Sequence, residues 1–193
     1  MITAVILAGG KSSRMGRDKL LMTLRGETLL DAAVRRFSAV FDRVFVSVSD
    51  FEKYPEIKAD KVADIYKNCG PMGGLHAALT HIGTGGIFLV AADLPFSDPV
   101  AAKKIVELCG ENDIALMRDP QGRYEPLFAC YKPSLLPAVE QMLEKGNHKM
   151  SALLAGARIR AVTEADLGPL WKDNMLVNIN RIEDYESLIK LND

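Results

Sequence analysis

The segment ITAVIL, from Ile2 to Leu7, runs without a break into Ala8, Gly9, Gly10 and Lys11. A buried strand that ends in a glycine-rich, basic loop commits the chain to a sheet whose strand end presents backbone amides and cations together, where an anionic ligand docks. The loop carries Lys11, Arg14, Arg17 and Lys19 against the single acid Asp18, while the formal net charge of the whole chain is -1. Positive charge is therefore concentrated at one place, which suits a compact polyanion such as a nucleotide and argues against a nucleic-acid duplex tracked along a face. Gly9 and Gly10 remove two side chains where the strand ends, so their N–H groups can approach phosphate oxygens closely.

Two familiar phosphate loops do not fit. A Walker A loop needs a glycine five positions before its Gly-Lys-Ser, and that position from Gly10 is Val5, inside the strand. A dinucleotide fingerprint needs Gly-x-Gly-x-x-Gly, whereas here Gly9 and Gly10 are adjacent and the next glycine is Gly16.

Beyond the loop, strand and helix patterns alternate. Strands are predicted at Ile2 to Leu7, Val44 to Val48, Ile87 to Ala91 and Ile114 to Met117, and helices near Glu27 to Val40, Gly74 to Ile82, Pro99 to Leu108 and Leu135 to Lys145. This order implies an α/β fold, a mainly parallel sheet with helices on both faces. The turn-rich stretch Asp119 to Gly122 before a strand at Leu127 to Tyr131 predicts a small hairpin at the sheet edge, with Phe128 and Tyr131 packing rather than stacking on a ligand.

With 193 residues and no linker or repeat, one domain over 1–193 is expected. No apolar run approaches the roughly 18 residues of a membrane span, and Met1 leads straight into a strand, so a cytoplasmic protein is expected. Cys69, Cys109 and Cys130 are widely spaced and read as reduced thiols. His76, His81 and His148 show no metal-ligand spacing.

Asp93 is the most telling acid. It follows the apolar strand at the end where open α/β sheets bind ligands, and a carboxylate beside phosphates requires a divalent cation such as Mg²⁺ between them. It reads equally well as a turn residue, but Asp98, directly before Pro99, is the better helix cap and leaves Asp93 free for a metal. Gly70, Gly73 and Gly74 let the chain pass close to a ligand or simply make a tight helix entry. Asn178 and Asn180, two apart, point the same way from an extended segment, while Asn180 is also a plausible N-cap for a helix from Arg181.

The string LAGGKSSRMGRDKLLMTLRGETLLD, Leu7 to Asp31, resembles the N-terminal signature of the molybdenum cofactor guanylyltransferase family, also called molybdopterin-guanine dinucleotide biosynthesis protein A. The resemblance implies a Rossmann-like nucleotidyltransferase that moves GMP from GTP to molybdopterin, releases pyrophosphate and depends on Mg²⁺. It assigns Leu7, Ala8, Gly9 and Lys19 to GTP, turns Arg14 toward the phosphates, gives Mg²⁺ and nucleotide to Asp93, and gives GTP to Asp64. By the same resemblance Gly70 and Gly74 belong to a Gly-Pro-x-x-Gly segment, and Asn178 and Asn180 to the molybdopterin side. It leaves room for transient contact with molybdenum cofactor biosynthesis or acceptor proteins. Arg181 and Ile182 replace the family's usual Thr-Pro, and Ser47 and Ser49 stand where some members carry a nucleotide-contacting asparagine. A nucleotidyltransferase using CTP or another NTP on a phosphorylated small molecule would share the same loop. A non-catalytic regulatory nucleotide-binding domain is the reading outside enzymes, and it would have no need of both Lys19 and Asp93.

Overall fold

A computed structural model describes residues 2–9, 18–24, 26–179, 183–184 and 187. In chain order the elements are β1 (Thr3–Leu7), β2 (Thr23–Leu24), β3 (Glu27–Thr28), α1 (Leu29–Ser38), β4 (Val44–Val48), β5 (Asp60–Ala63), α2 (Pro71–Ile82) and β6 (Ile87–Ala91). They continue with α3 (Pro99–Leu108), β7 (Ile114–Arg118), β8 (Tyr124–Tyr131), α4 (Leu136–Glu144), α5 (Met150–Gly156), β9 (Ile159–Val162) and α6 (Glu164–Leu167). The main sheet has seven strands in the order β5-β4-β1-β6-β8-β7-β9. All of its pairings are parallel except those of β8, which is antiparallel to both neighbours.

Alternation along each strand divides the core in two. Ala4, Ile6, Val46, Phe88 and Val90 pack on one face with Leu30 and Phe37 of α1 and Ala101 and Ile105 of α3. Val5, Leu7, Phe45 and Leu89 pack on the other with Leu75 and Leu79 of α2, Val139 of α4 and Leu153 of α5. Helices thus cover both faces, as the sequence pattern implies. Phe128 and Tyr131 are both fully buried, Phe128 edge-on to Phe88 with ring centroids 4.9 Å apart.

The helix entries follow the side-chain chemistry. Thr28 accepts a bond from Asp31 N at the start of α1. Asp98 accepts from Val100 N at 2.8 Å and Ala101 N at 3.4 Å ahead of Pro99, so it is the cap it was expected to be.

The predicted hairpin forms between β7 and β8, turned by Asp119, whose Oδ1 accepts from Arg123 N at 2.8 Å. It does not lie at the sheet edge, however. β8 inserts between β6 and β7, and β9 closes the edge outside it. The reason is burial: residues 128–131 of β8 are fully covered, and only an interior position hides both of their faces.

What positions the site is the common end of the parallel strands. Leu7 of β1 lies beside Ser47 of β4 and Ala91 of β6, and the pairing continues past the ladder, with Ala8 N donating to Ser47 O and Ala92 N to Leu7 O.

Candidate functional site

At that common end lies a cleft of about 170 Å³. Leu7, Ala8, Gly9, Lys19 and Asp93 line it, joined by Leu20, Tyr54, Pro71, Ala91 and Leu127. Gly9 at the end of β1, Lys19 and the strand-end carboxylate of Asp93, separated in the chain, therefore meet in one place.

Asp93 stands two residues beyond β6, and Lys19 stands in a single 3-10 turn, Lys19–Leu21. The turn is started by Asp18, whose Oδ1 accepts from Leu20 N at 3.1 Å. From there the Lys19 ammonium reaches Asp93 Oδ2 at 2.5 Å and donates to the Ile179 carbonyl at 3.0 Å. Ile179 N in turn donates to the Asp93 carbonyl at 3.0 Å. One backbone unit thus braces both charged residues and brings Asn178 beside them. Among the described residues the buried Asn178 Oδ1 has no hydrogen-bond partner.

Other predicted residues take different places. Gly70 precedes α2 at a φ of +58°, which glycine adopts readily, and opens the helix entry next to Pro71 in the cleft. At Gly74 a Cβ would come within 2.5 Å of Leu7 Cδ2 and 2.8 Å of Ser47 Oγ, so the missing side chain lets α2 lie directly on β1 and β4. Gly74→Ala is therefore expected to cost about 1–3 kcal/mol of stability through overpacking. Chemical denaturation checks this, and an unchanged midpoint would mean that α2 can lift off the sheet. Ser47 is buried beneath that helix. Asp64 follows β5 beside the first turn of α2, outside the lining of the cleft. Burial holds its carboxyl above the usual carboxylate range against the opposing pull of Lys67 and Lys53. Gly10, Arg14 and Asn180, with Lys11, Gly16, Arg17, Arg181 and Ile182, lie outside the described residues.

The site includes residues that no sequence signal announced. The β6–β8 register pairs Ile87 with Tyr131 through Val90 with Phe128, and continued at the same spacing it sets Glu125 across from Asp93. Burial first, and the Asp93 charge with it, push the Glu125 carboxyl upward, while its Oε1 accepts from Leu127 N at 2.9 Å. Its one visible mark in the sequence is a lone charge within an otherwise apolar strand. Tyr54 and Lys53 come from the β4–β5 loop, where no periodicity marks them.

The Asp93 carboxylate is a hard oxygen donor and suits Mg²⁺ or a similar divalent cation. Among the described residues no group of three or more His, Cys, Asp or Glu is arranged to hold a metal alone. The donor set therefore fits a cation that takes one or two protein oxygens and the rest from phosphate and water. Among the described residues no helix is long and apolar enough to cross a membrane.

Residues 4–163 match the family described as MobA-like NTP transferase domain. A Synechococcus elongatus protein named probable molybdenum cofactor guanylyltransferase is 34% identical over 194 residues, covering 96% of each chain. A Methanosarcina mazei protein of the same name is 29% identical over 202 residues, 97% of this chain and 89% of the relative. Among solved structures, molybdopterin-guanine dinucleotide biosynthesis protein A from Archaeoglobus fulgidus superposes with a TM-score of 0.85 at 23% identity, over 98% of both chains.

Proposed function

The chain belongs to the MobA-like NTP transferase domain family and is a nucleotidyltransferase, and from that premise we propose that it transfers GMP from GTP to molybdopterin in the cytoplasm, with Mg²⁺. The observation that carries the reading is the pairing of Lys19 with Asp93 at 2.5 Å in a cleft at the carboxyl ends of β1 and β6. A cation and a metal-competent carboxylate in contact are what a magnesium triphosphate needs, one for the phosphates and one for the metal.

In this reading a terminal phosphate oxygen of molybdopterin attacks the α-phosphorus of GTP in line. The new P–O–P bond forms as the α–β bond breaks, and pyrophosphate leaves with the electron pair. Because the attacking phosphate is already anionic, no side-chain nucleophile is needed, and positioning with charge neutralisation carries the rate. The backbone from Leu7 to Gly9 lies along the nucleotide, and Lys19 compensates charge on the leaving pyrophosphate. Asp93 would hold the cation, which when bound would neutralise charge on the phosphate oxygens. Arg14 adds a second cation to the phosphates. Asp64, Gly70 and Gly74 shape the nucleotide side, and Asn178 with Asn180 the molybdopterin side.

Base choice is tested by thermal shift with GTP, CTP, ATP and UTP, each with Mg²⁺. Selective stabilisation by GTP is expected, worth about 2.7 kcal/mol at a concentration one hundred times its Kd. Selective stabilisation by CTP would overturn the guanylyl assignment.

A further inference from the structure

The loop between β4 and β5 carries a tyrosine into the cleft. Tyr54 is only 6% exposed, lines the site, and holds a φ of +55°, a backbone region disfavoured for a bulky L-residue. Its hydroxyl donates to Asp18 Oδ2 at 2.7 Å and lies 3.3 Å from the Ala8 carbonyl. One phenol thus stands between the chain that leaves β1 and the chain that enters the turn of Lys19. Asp18 divides its two oxygens, Oδ2 to Tyr54 and Oδ1 to Leu20 N, so the phenol and the turn are joined through one carboxylate. Lys53 reinforces the joint, its ammonium 3.8 Å from the same Oδ2 and 5.0 Å from the centre of the Tyr54 ring. Burial, and then Asp18, raise the phenol well above its ordinary range, so it remains a donor at any working pH.

We propose that Tyr54 is a positioning residue for the nucleotide, acting through Asp18 to hold the Lys19 turn in register with the end of β1. The strained φ supports this over a role in packing alone, because a buried ring can be supplied from many backbone positions. A hydroxyl aimed at the residue before Lys19 requires this one. The proposal rests on Lys19 being the phosphate-binding cation.

The test is calorimetry of GTP with Mg²⁺ on wild type, Tyr54→Phe, Asp18→Asn, Lys19→Ala and the Tyr54→Phe/Lys19→Ala double variant. Tyr54→Phe is expected to raise the GTP Kd about tenfold, as loss of a hydrogen bond to a charged group does, with the KM for molybdopterin unchanged. Asp18→Asn is expected to match it, since an amide has one oxygen where the carboxylate uses two, and it keeps the proposal testable should Tyr54→Phe not fold. In the Lys19→Ala background Tyr54→Phe is expected to add less than about twofold, because a residue that acts through Lys19 has nothing left to position. An unaltered Kd in Tyr54→Phe, or the same tenfold loss with and without Lys19, would overturn the proposal while leaving guanylyl transfer standing. Wild-type protein that takes no nucleotide would sink the guanylyl reading and this inference with it.

Discussion

Asp93→Ala is expected to lower turnover by on the order of a thousandfold while the protein remains folded. The carboxylate lies beyond the end of β6, with the strand itself, Ile87–Ala91, fully buried and untouched by the change. The bond from Ile179 N goes to the Asp93 main-chain carbonyl, which alanine keeps. What is lost is the carboxylate, 20% exposed, that would hold a cation against the phosphates. A site that neutralises charge through one protein carboxylate has no substitute for it, and removing one such electrostatic element costs about a hundred- to a thousandfold in comparable sites. Pyrophosphate release in Mg²⁺ measures the effect, and a melting curve controls for folding. Wild-type-like release would remove Asp93 from the mechanism. Asp93→Asn, which keeps the shape and drops the charge, should fail as badly.

Lys19→Ala is expected to produce two opposite changes. Nucleotide affinity should fall by on the order of tens of fold, the value of a charge-assisted bond to phosphate. Affinity for Mn²⁺ in the absence of nucleotide should rise, because the ammonium 2.5 Å from Asp93 Oδ2 occupies the ground a cation would take. The carboxylate is already paired with Lys19, and a metal must displace that tethered charge. A metal that arrives with a triphosphate meets no such competition, since the phosphates draw Lys19 away. Calorimetry with GTP and manganese resonance on the protein alone separate the two effects. An unchanged GTP Kd would count against Lys19 as a phosphate ligand, and weaker Mn²⁺ binding would count against the competition.

The parts of this architecture legible in the sequence are those where a local pattern and its burial coincide. ITAVIL followed by glycines reads as an interior strand meeting a loop, and Asp98 before Pro99 as the better cap, because each feature is decided within a few residues. β5 and β9 escaped for the opposite reason. DKVA and IRAV are short, carry charge and form the two edges of the sheet, where one solvated side dilutes the apolar signal. The interior placement of β8 depends on long-range pairing with β6, which no local turn signal encodes. In the cleft, Lys19 and Asp93 were legible as a cation after a glycine-rich loop and a carboxylate at a strand end. Glu125 became visible only through a register, and Tyr54 only through a loop that folds back on Asp18. Gly74 was legible as a glycine but not as a packing glycine, because Leu7 and Ser47, which crowd it, come from two other strands.

The brace that Ile179 places on Lys19 and Asp93 also orders events in time. Lys19 and Asp93 emerge from the ribosome well before Ile179 is made, and early segments of a growing chain begin to fold as they appear. A nascent chain therefore exposes the ammonium and the carboxylate with neither the carbonyl nor the amide that fixes them. The sheet can assemble around them, but the Lys19–Asp93 pair is braced from both sides only when the late segment docks.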